Sequence, residues 1–334
     1  MTTLANDTRI FPINPEIQAQ NVRFENRYGF KVAGHLYLPK DFKEGETYPT
    51  ITISGPFGAV KEQASGLYAQ TLAERGFVTL AFDQSTTGES SGKVRNMASP
   101  DIFVEDYSAA VDFLGTQTFV DRKRIGALGI CGLGSHVLTA ASIDVRIKAV
   151  ATSVMYDMSD SMWKGLHNSK TEEQRAIEKQ YLADWRWKEA EEGFGIPGPH
   201  ELGFDGNQPQ YVPYCLPNEL PEGADSVTRE FFDYYKVRAY HPRSVNSHGG
   251  WDVTTPWGYY NFPLQQKIET IAAPALVVTG ENAHSRYMAE ESYERLTDPK
   301  QLIIVPGATH TDLYDQMDLI PFDEIEAFYK KNLA

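Results

Sequence analysis

Residues 124–136 read Arg124-Ile-Gly-Ala-Leu-Gly-Ile-Cys131-Gly132-Leu133-Gly134-Ser135-His136. A short apolar run of β character ends in a cluster of small residues, and a helical pattern, His136-Val-Leu-Thr-Ala-Ala, follows at once. This is the strand–turn–helix setting of a nucleophile elbow, with Cys131 where the G-x-S-x-G pattern carries serine. The residue types suit that chemistry. A nucleophile on a sharp bend has strained backbone angles and close neighbours, so glycine must flank it. The helix start behind it offers free N–H groups and a partial positive charge, which favour thiolate and oxyanion alike. One position departs from the pattern: the second residue after Cys131 is Leu133, and the glycines fall at Gly132 and Gly134. The competing reading of the same stretch is a buried structural cysteine in a glycine-rich strand-to-helix turn.

Outward from this elbow the chain alternates strand and helix patterns. Residues 1–20 are polar and proline-bearing and read as a surface arm. Residues 22–25 and 30–38 alternate with period two around Asn26-Arg-Tyr-Gly29, an antiparallel hairpin. Residues 50–54 form a buried-type strand, followed by the loop Gly55-Pro56-Phe57-Gly58 and a helix over 63–75. A strand over 77–83, a helix over 102–116, the Cys131 unit and a strand from Ile147 continue the series. Such alternation after an opening hairpin predicts a mostly parallel sheet with an antiparallel edge. The rhythm then stops from 155 to 264, far longer than an ordinary crossover. This stretch contains all five tryptophans and reads as a mainly helical lid, with helices over 170–192 and 225–239. Its aromatic residues would form a small core of their own or cap a reactive group and exclude water. Alternation resumes with strands over 275–280 and 301–305 and helices over 286–296 and 322–332. The expected organisation is an arm over 1–20, a core over 21–154 and 265–334, and the lid over 155–264.

A cysteine nucleophile needs a base, and His310 in Val305-Pro-Gly-Ala-Thr-His310-Thr-Asp312 stands in a loop just after the last strand. Together with the elbow, this constellation resembles the α/β-hydrolase superfamily over nearly the whole chain from Val22. The resemblance implies an eight-stranded, mostly parallel sheet flanked by helices, with the elbow after the fifth strand and the lid after the sixth. A cysteine in the elbow is similar to dienelactone hydrolase. The Gly-Ile-Cys-Gly-x-Gly elbow and large lid are closer to a branch of bacterial hydrolases that fungal polyketide acyltransferases also resemble. In that branch Gly55-Pro-Phe-Gly-x-Val-Lys-Glu-Gln63, His241-Pro-Arg-Ser244 and Ala283-His-Ser-Arg-Tyr287 look like recurring motifs.

The resemblance also implies the remaining site residues. Many hydrolases of this fold carry Asp three residues after the glycine that closes the seventh strand, and here that position is Ala283. Glu281 is the favoured acid to orient His310, and Asp157, just past the sixth strand, is the alternative. The oxyanion donors are the N–H of Gly132 and one from the loop after the third strand. Pro56 has no N–H, which points to Phe57. The loop Asp83-Gln-Ser-Thr-Thr-Gly88-Glu-Ser90 reads as loop-shaping, and His136 and His284 as structural.

Composition narrows the classes. Over 334 residues, 41% hydrophobic and 23% charged, the chain reads as a soluble globular protein. A formal net charge of −14 argues against nucleic acid or an anionic membrane as partner. Two cysteines, Cys131 and Cys215, require no disulfide framework, and Met1-Thr-Thr-Leu-Ala-Asn-Asp has neither a basic nor an apolar leader region, so a cytoplasmic location is expected. Gly132-x-Gly134 does not complete a dinucleotide motif, and the eight histidines show no metal spacing, so no cofactor and no metal are expected. The expected partner is a small acyl substrate, with a homodimer left open. The expected function is ester or thioester hydrolysis through an acyl-cysteine. An acyltransferase, a non-catalytic ligand-binding member of the fold and, by fold analogy alone, a C–C hydrolase or lyase remain as alternatives.

Overall fold

Residues 125–130 are apolar or glycine and all buried, which is the pattern of a strand covered on both faces. In the computed structural model, which describes residue 4, residues 7–211 and residues 216–334, they close the strand at the centre of the molecule. Cys215 lies outside the described residues. The main sheet contains β1 (Gln18–Glu25), β2 (Lys31–Leu38), β3 (Tyr48–Ser54), β4 (Val78–Phe82), β5 (Val120–Ile130), β6 (Ile147–Ser153), β9 (Ala275–Gly280) and β10 (Lys300–Val305). Their order is β1-β2-β4-β3-β5-β6-β9-β10. The β1–β2 hairpin is antiparallel, β2 runs antiparallel to β4, and every pairing from β4 to β10 is parallel. Asn26 fixes the hairpin turn: its Oδ1 accepts from the N–H of Tyr28 and Phe30, and its amide donates to buried Asp106.

Helices flank this sheet. α1 (Ala64–Glu74) neighbours α10 (Phe322–Asn332), and α2 (Pro100–Gly115) neighbours α3 (Gly132–Ala141). α8 (Arg286–Arg295) packs on β9 and β10. This is the α/β-hydrolase fold, with the elbow after β5 as the resemblance implied.

Between β6 and β9 the chain forms α4 (Met158–Lys164), α5 (Glu172–Glu192), the hairpin β7 (Leu202–Asp205) and β8 (Gln208–Tyr211), α6 (Ser226–Phe232) and α7 (Pro256–Asn261). The helix expected over 225–239 narrows to α6 and then widens into a π-helical turn at Asp233–Arg238. α5 begins on a capping box, with Thr171 Oγ1 accepting from the Gln174 N–H and Gln174 returning the bond.

A buried ionic cluster ties this insertion to the sheet. The Lys61 ammonium meets Glu62 at 2.8 Å, Asp83 at 3.1 Å and Glu89 at 2.7 Å. Arg243, from the insertion, reaches Glu62 at 2.6 Å. Asp83 also accepts from the N–H of Lys61 and Glu89, so the Asp83–Ser90 loop is held as a structural turn. Two of the recurring motifs, around Lys61 and Arg243, are thus the two halves of one clamp.

Candidate active site

Cys131 sits at φ 55°, ψ −128°, a conformation that L side chains rarely adopt, and caps the start of α3. The bend is held from outside. Its N–H donates to Ser153 O at 2.9 Å, and its carbonyl accepts from Tyr156 N–H at 3.0 Å. Two flanking glycines are demanded by close approach. A Cβ on Gly132 would lie 2.7 Å from Phe57 Cβ and from Met158 Sδ; one on Gly134 would lie 2.5 Å from Met155 Cβ. The tight contact therefore falls at 134 rather than 133, which is why Leu133 is tolerated and buried where the usual pattern has glycine. His136 braces the same turn, with Nδ1 2.7 Å from Gly132 O and Nε2 3.0 Å from the Tyr259 hydroxyl.

His310 is fully buried, in the loop after β10. Its Nδ1 lies 2.8 Å from Ser285 Oγ and its Nε2 2.9 Å from the Tyr314 hydroxyl. Neither expected carboxylate takes part in these bonds. Glu281 is exposed and accepts from the Gly307 N–H at 2.8 Å, bracing the histidine loop from beneath. Asp157 caps α4, accepting from the N–H of Ser159 and Asp160, and receives Gln265 Nε2 at 2.8 Å. Burial pushes its carboxyl up to about 6. The expectation that one of these acids hydrogen-bonds His310 is corrected here: a serine hydroxyl occupies that place. The reason is the loop after β9. Glu281 N–H bonds Val305 O and Asn282 N–H bonds Ala308 O, which lays this loop along the histidine loop and brings Ser285, not Glu281, to the imidazole. Ala283 is buried and carries no polar group to compete.

Two site residues were not singled out from sequence. Ser285 lies within the Ala283–Tyr287 motif, whose composition alone did not reveal its partner. Tyr314 follows His310 by four residues, and the short α9 (Asp312–Asp315) between them places both rings on one side. Burial pushes the carboxyl of Glu230 on α6 up, against the N–H groups of Thr311 and His310, which favour its charged form.

The electrostatics favour neutral forms throughout. Burial pushes the Cys131 thiol up, against hydrogen bonds from the Tyr314 hydroxyl and the N–H groups of Gly132 and Phe57 that favour thiolate. Burial, helped by neighbouring His284, holds the His310 imidazole well below its ordinary range. Burial raises the Tyr314 phenol well above its ordinary range, reinforced by Cys131. His284, lowered to about 4 by burial and then His167, stands 4.7 Å from the His310 ring and bonds the Tyr156 hydroxyl.

A Cβ on Gly132 would lie 2.7 Å from Phe57 Cβ, so the two expected oxyanion donors stand side by side, and the N–H groups of both favour the Cys131 thiolate. The insertion fixes the second of them. Asn246 Nδ2 donates to Phe57 O at 2.6 Å, Ser244 Oγ donates to Gly58 O at 2.9 Å, and Gln63 Nε2 donates to Ala239 O at 2.6 Å. Trp251 packs against the Phe57 ring with centroids 4.3 Å apart. Above Cys131 opens a cavity of about 520 Å³, walled mainly by Met158, Met162, Leu166, Phe231, Tyr235 and Trp251. Among the described residues no cluster of His, Cys, Asp or Glu is arranged to hold a metal ion, and no helix is long and apolar enough to cross a membrane.

The model of the family described as X-Pro dipeptidyl-peptidase (S15 family) matches residues 29–195. The uncharacterized protein PA2218 of Pseudomonas aeruginosa is 50% identical over 97% of this chain and 84% of that protein. The chain belongs to the S15 family. The crystal structure of PA2218 overlays this S15-family chain with a TM-score of 0.90 at 48% identity, covering 99% of each. YcjY of Escherichia coli K12 is 32% identical over 84% of this chain and 87% of its own. More distantly, the thiohydrolase aneE of Aspergillus aculeatus is 33% identical over 41% of this S15-family chain and 42% of its own length.

Proposed function

We propose that this protein is a cysteine-dependent acyl hydrolase that cleaves a thioester or activated ester of a small, largely apolar acyl group. Cys131 attacks the carbonyl carbon, His310 takes up the thiol proton, and the N–H groups of Gly132 and Phe57 receive the developing oxyanion. The leaving group departs with a proton, and water then releases the acid and regenerates the thiol. Ser285 orients the imidazole so that its Nε2 lone pair faces the reacting side. The insertion acts as a lid whose apolar wall receives the acyl group.

The observation that carries this reading is Cys131 on a strained elbow, with Gly132 packed against Phe57 and both Cys131 and Phe57 lining a cavity of about 520 Å³. A structural cysteine needs neither the positive-φ bend nor a neighbouring pair of candidate oxyanion donors. The name of aneE, a thiohydrolase, supports thioesters as the first substrates to try. Because Cys131 is only 7% exposed, an alcohol or amine held in the cavity would compete well with water, and acyl transfer is the second outcome to measure.

The test is incubation with butyryl and octanoyl thioesters of N-acetylcysteamine, quench, and mass spectrometry of the peptide containing Cys131. An acyl adduct on Cys131 that turns over, absent in Cys131→Ala, is the expected result. Turnover that survives Cys131→Ala removes the mechanism. Tight binding of the thioesters with no adduct and no turnover assigns the protein to ligand binding instead.

A further inference from the structure

Two buried carboxyls of the insertion meet on a single hydroxyl. Glu189 lies in the last turn of α5 and Asp252 between Trp251 and α7, and both are fully buried. Thr254 Oγ1 stands 2.8 Å from Glu189 Oε2 and 2.9 Å from Asp252 Oδ1. Asp252 Oδ1 also accepts from the Thr254 N–H at 2.9 Å, while Asp252 Oδ2 is buried with no hydrogen-bond partner. A hydroxyl has one proton to donate. With both carboxyls ionised it bonds one oxygen, and the other faces an oxygen lone pair at hydrogen-bond distance. The row closes when the two carboxyls keep one proton between them. Asp252 Oδ1 is already the acceptor of an N–H, so the proton belongs on Glu189 Oε2, which donates to Thr254 Oγ1, which donates to Asp252. The carbonyl end of α5 also disfavours a negative charge at Glu189. Burial, and after it Asp252, push the Glu189 carboxyl up from its ordinary range.

Charged groups on the surrounding elements are engaged elsewhere. On α5, Arg186 stacks over Phe194 and Trp257, and Lys188 over Trp185. Arg95 gives its guanidinium to the Ser90 and Gly88 carbonyls. Between α5 and β7, burial holds the His200 imidazole below its ordinary range, against Glu201 and Asp252. Among the described residues neither carboxyl of the pair forms an ion pair with a lysine, arginine or histidine. The segment they hold leads to the site. Asp252 N–H donates to Asn96 O at 2.8 Å and Val253 N–H to Ile196 O at 3.0 Å, and Trp251 packs on the Phe57 ring.

We propose that Glu189, Thr254 and Asp252 form a proton-held latch that positions Trp251, and through it the Phe57 donor, and that releases as pH rises. Its effect on rate rests on the acyl-cysteine reading above. Release is the ionisation of Glu189 Oε2–H: the proton passes to solvent and leaves two carboxylates on one hydroxyl. The folded chain keeps this proton where an unfolded glutamate has released it. The latch therefore contributes its full stability below the ordinary glutamate range and loses it as pH rises through the shifted value.

The test compares the unmodified protein with Glu189→Gln and Asp252→Asn from about pH 5 to about pH 9. In either variant an amide N–H can stand where the shared proton was, and one carboxyl remains. As pH rises, the urea midpoint of the unmodified protein should fall relative to both variants. Its kcat/KM for a butyryl thioester should drop about 10-fold or more on the alkaline side, while the variants drop less than about threefold over the same interval. A merely structural contact would lower activity at every pH alike. The latch is overturned by a urea midpoint of the unmodified protein that does not fall as pH rises, whatever the variants do. It is equally overturned by a folded variant that keeps the unmodified protein's alkaline losses. The urea measurement needs no substrate, so the lack of an acyl adduct on Cys131 would remove the acyl-cysteine reading and leave the latch to be judged on stability.

Discussion

Ser285→Ala is the substitution that most directly tests how His310 is held. The Ser285 hydroxyl and the imidazole are both fully buried, and their 2.8 Å contact accounts for Nδ1. Removing Oγ leaves an imidazole N–H facing apolar surroundings, at about 1–3 kcal/mol for a buried unsatisfied donor. The imidazole has a way to avoid that cost: it can shift its proton to Nε2 and present a bare Nδ1 to the methyl group. That tautomer cannot accept a proton at Nε2, so the same 1–3 kcal/mol appears as lost reactivity, roughly 5- to 150-fold. Acylation rates measured by single turnover on a butyryl thioester should fall within that range, while the acid substitutions Glu281→Gln and Asp157→Asn leave the rate within about threefold. A Ser285→Ala enzyme that acylates normally, combined with a Glu281→Gln or Asp157→Asn enzyme that does not, would refute the assignment and restore a carboxylate behind the histidine.

Four further outcomes follow from the same structure. The proposed mechanism needs neutral His310, and burial lowers its pKa well below 6.5, so the acidic limb of kcat/KM against pH should lie below pH 6.5; a limb at or above that value contradicts the buried, carboxylate-free imidazole. Lys61→Met leaves Glu62 and Asp83 buried without their ammonium and should cost about 3–5 kcal/mol in urea unfolding; a loss under about 1 kcal/mol would show that the cluster contributes little. Asn246→Ala frees the Phe57 carbonyl, and a displaced oxyanion donor should lower kcat by about 10–100-fold with the protein still folded by circular dichroism. Cys131→Ser should lose about 10⁴-fold in kcat, the deficit of a serine nucleophile whose histidine lacks its acid, and a serine variant near full rate would show that a strong base is present after all.

The fold was readable because its evidence is local. Apolar runs at β3, β4, β5 and β9 carry strand signals that no neighbour needs to explain, and the glycines around Cys131 mark the bend. The segments that escaped are those whose order comes from elsewhere. Leu202–Asp205 and Gln208–Tyr211 pair as a hairpin without apolar alternation, and the π-helical turn at Asp233–Arg238 interrupts what reads as one amphipathic helix. Within the site, the nearness of Gly132 and Phe57 to the sulfur follows from chain connectivity and from the missing N–H of Pro56. The partner of His310 does not. Glu281 and Ser285 are four residues apart in one loop, and which of them reaches the ring depends on how Asn282 and Glu281 pin that loop to Ala308 and Val305. The motif Ala283–Tyr287 was visible in the sequence, but spacing alone could not show that its serine, rather than the nearby glutamate, points inward.

The serine behind the histidine and the cysteine in the elbow belong to one solution. A serine hydroxyl is a far weaker acid than a thiol, so a serine elbow leans on a carboxylate to stabilise the imidazolium it creates. Cysteine lowers that demand, since its ordinary pKa of about 8.5 lies within about two units of histidine's 6.5. A neutral hydroxyl at Nδ1 then suffices to set the tautomer, and the site avoids burying a carboxylate beside an uncharged imidazole. The cost is that neither thiolate nor imidazolium is stable at rest, because burial works against both. In the proposed mechanism, charge therefore forms only when a carbonyl is present to receive the sulfur's electrons and the Gly132 and Phe57 N–H groups can hold the result. A thiol that stays protonated until substrate arrives is also protected from oxidation, which proceeds through the thiolate. On the same proposal the clamp from the insertion onto the Phe57 loop has a chemical purpose: it keeps in place the donor on which the separation of charge would depend.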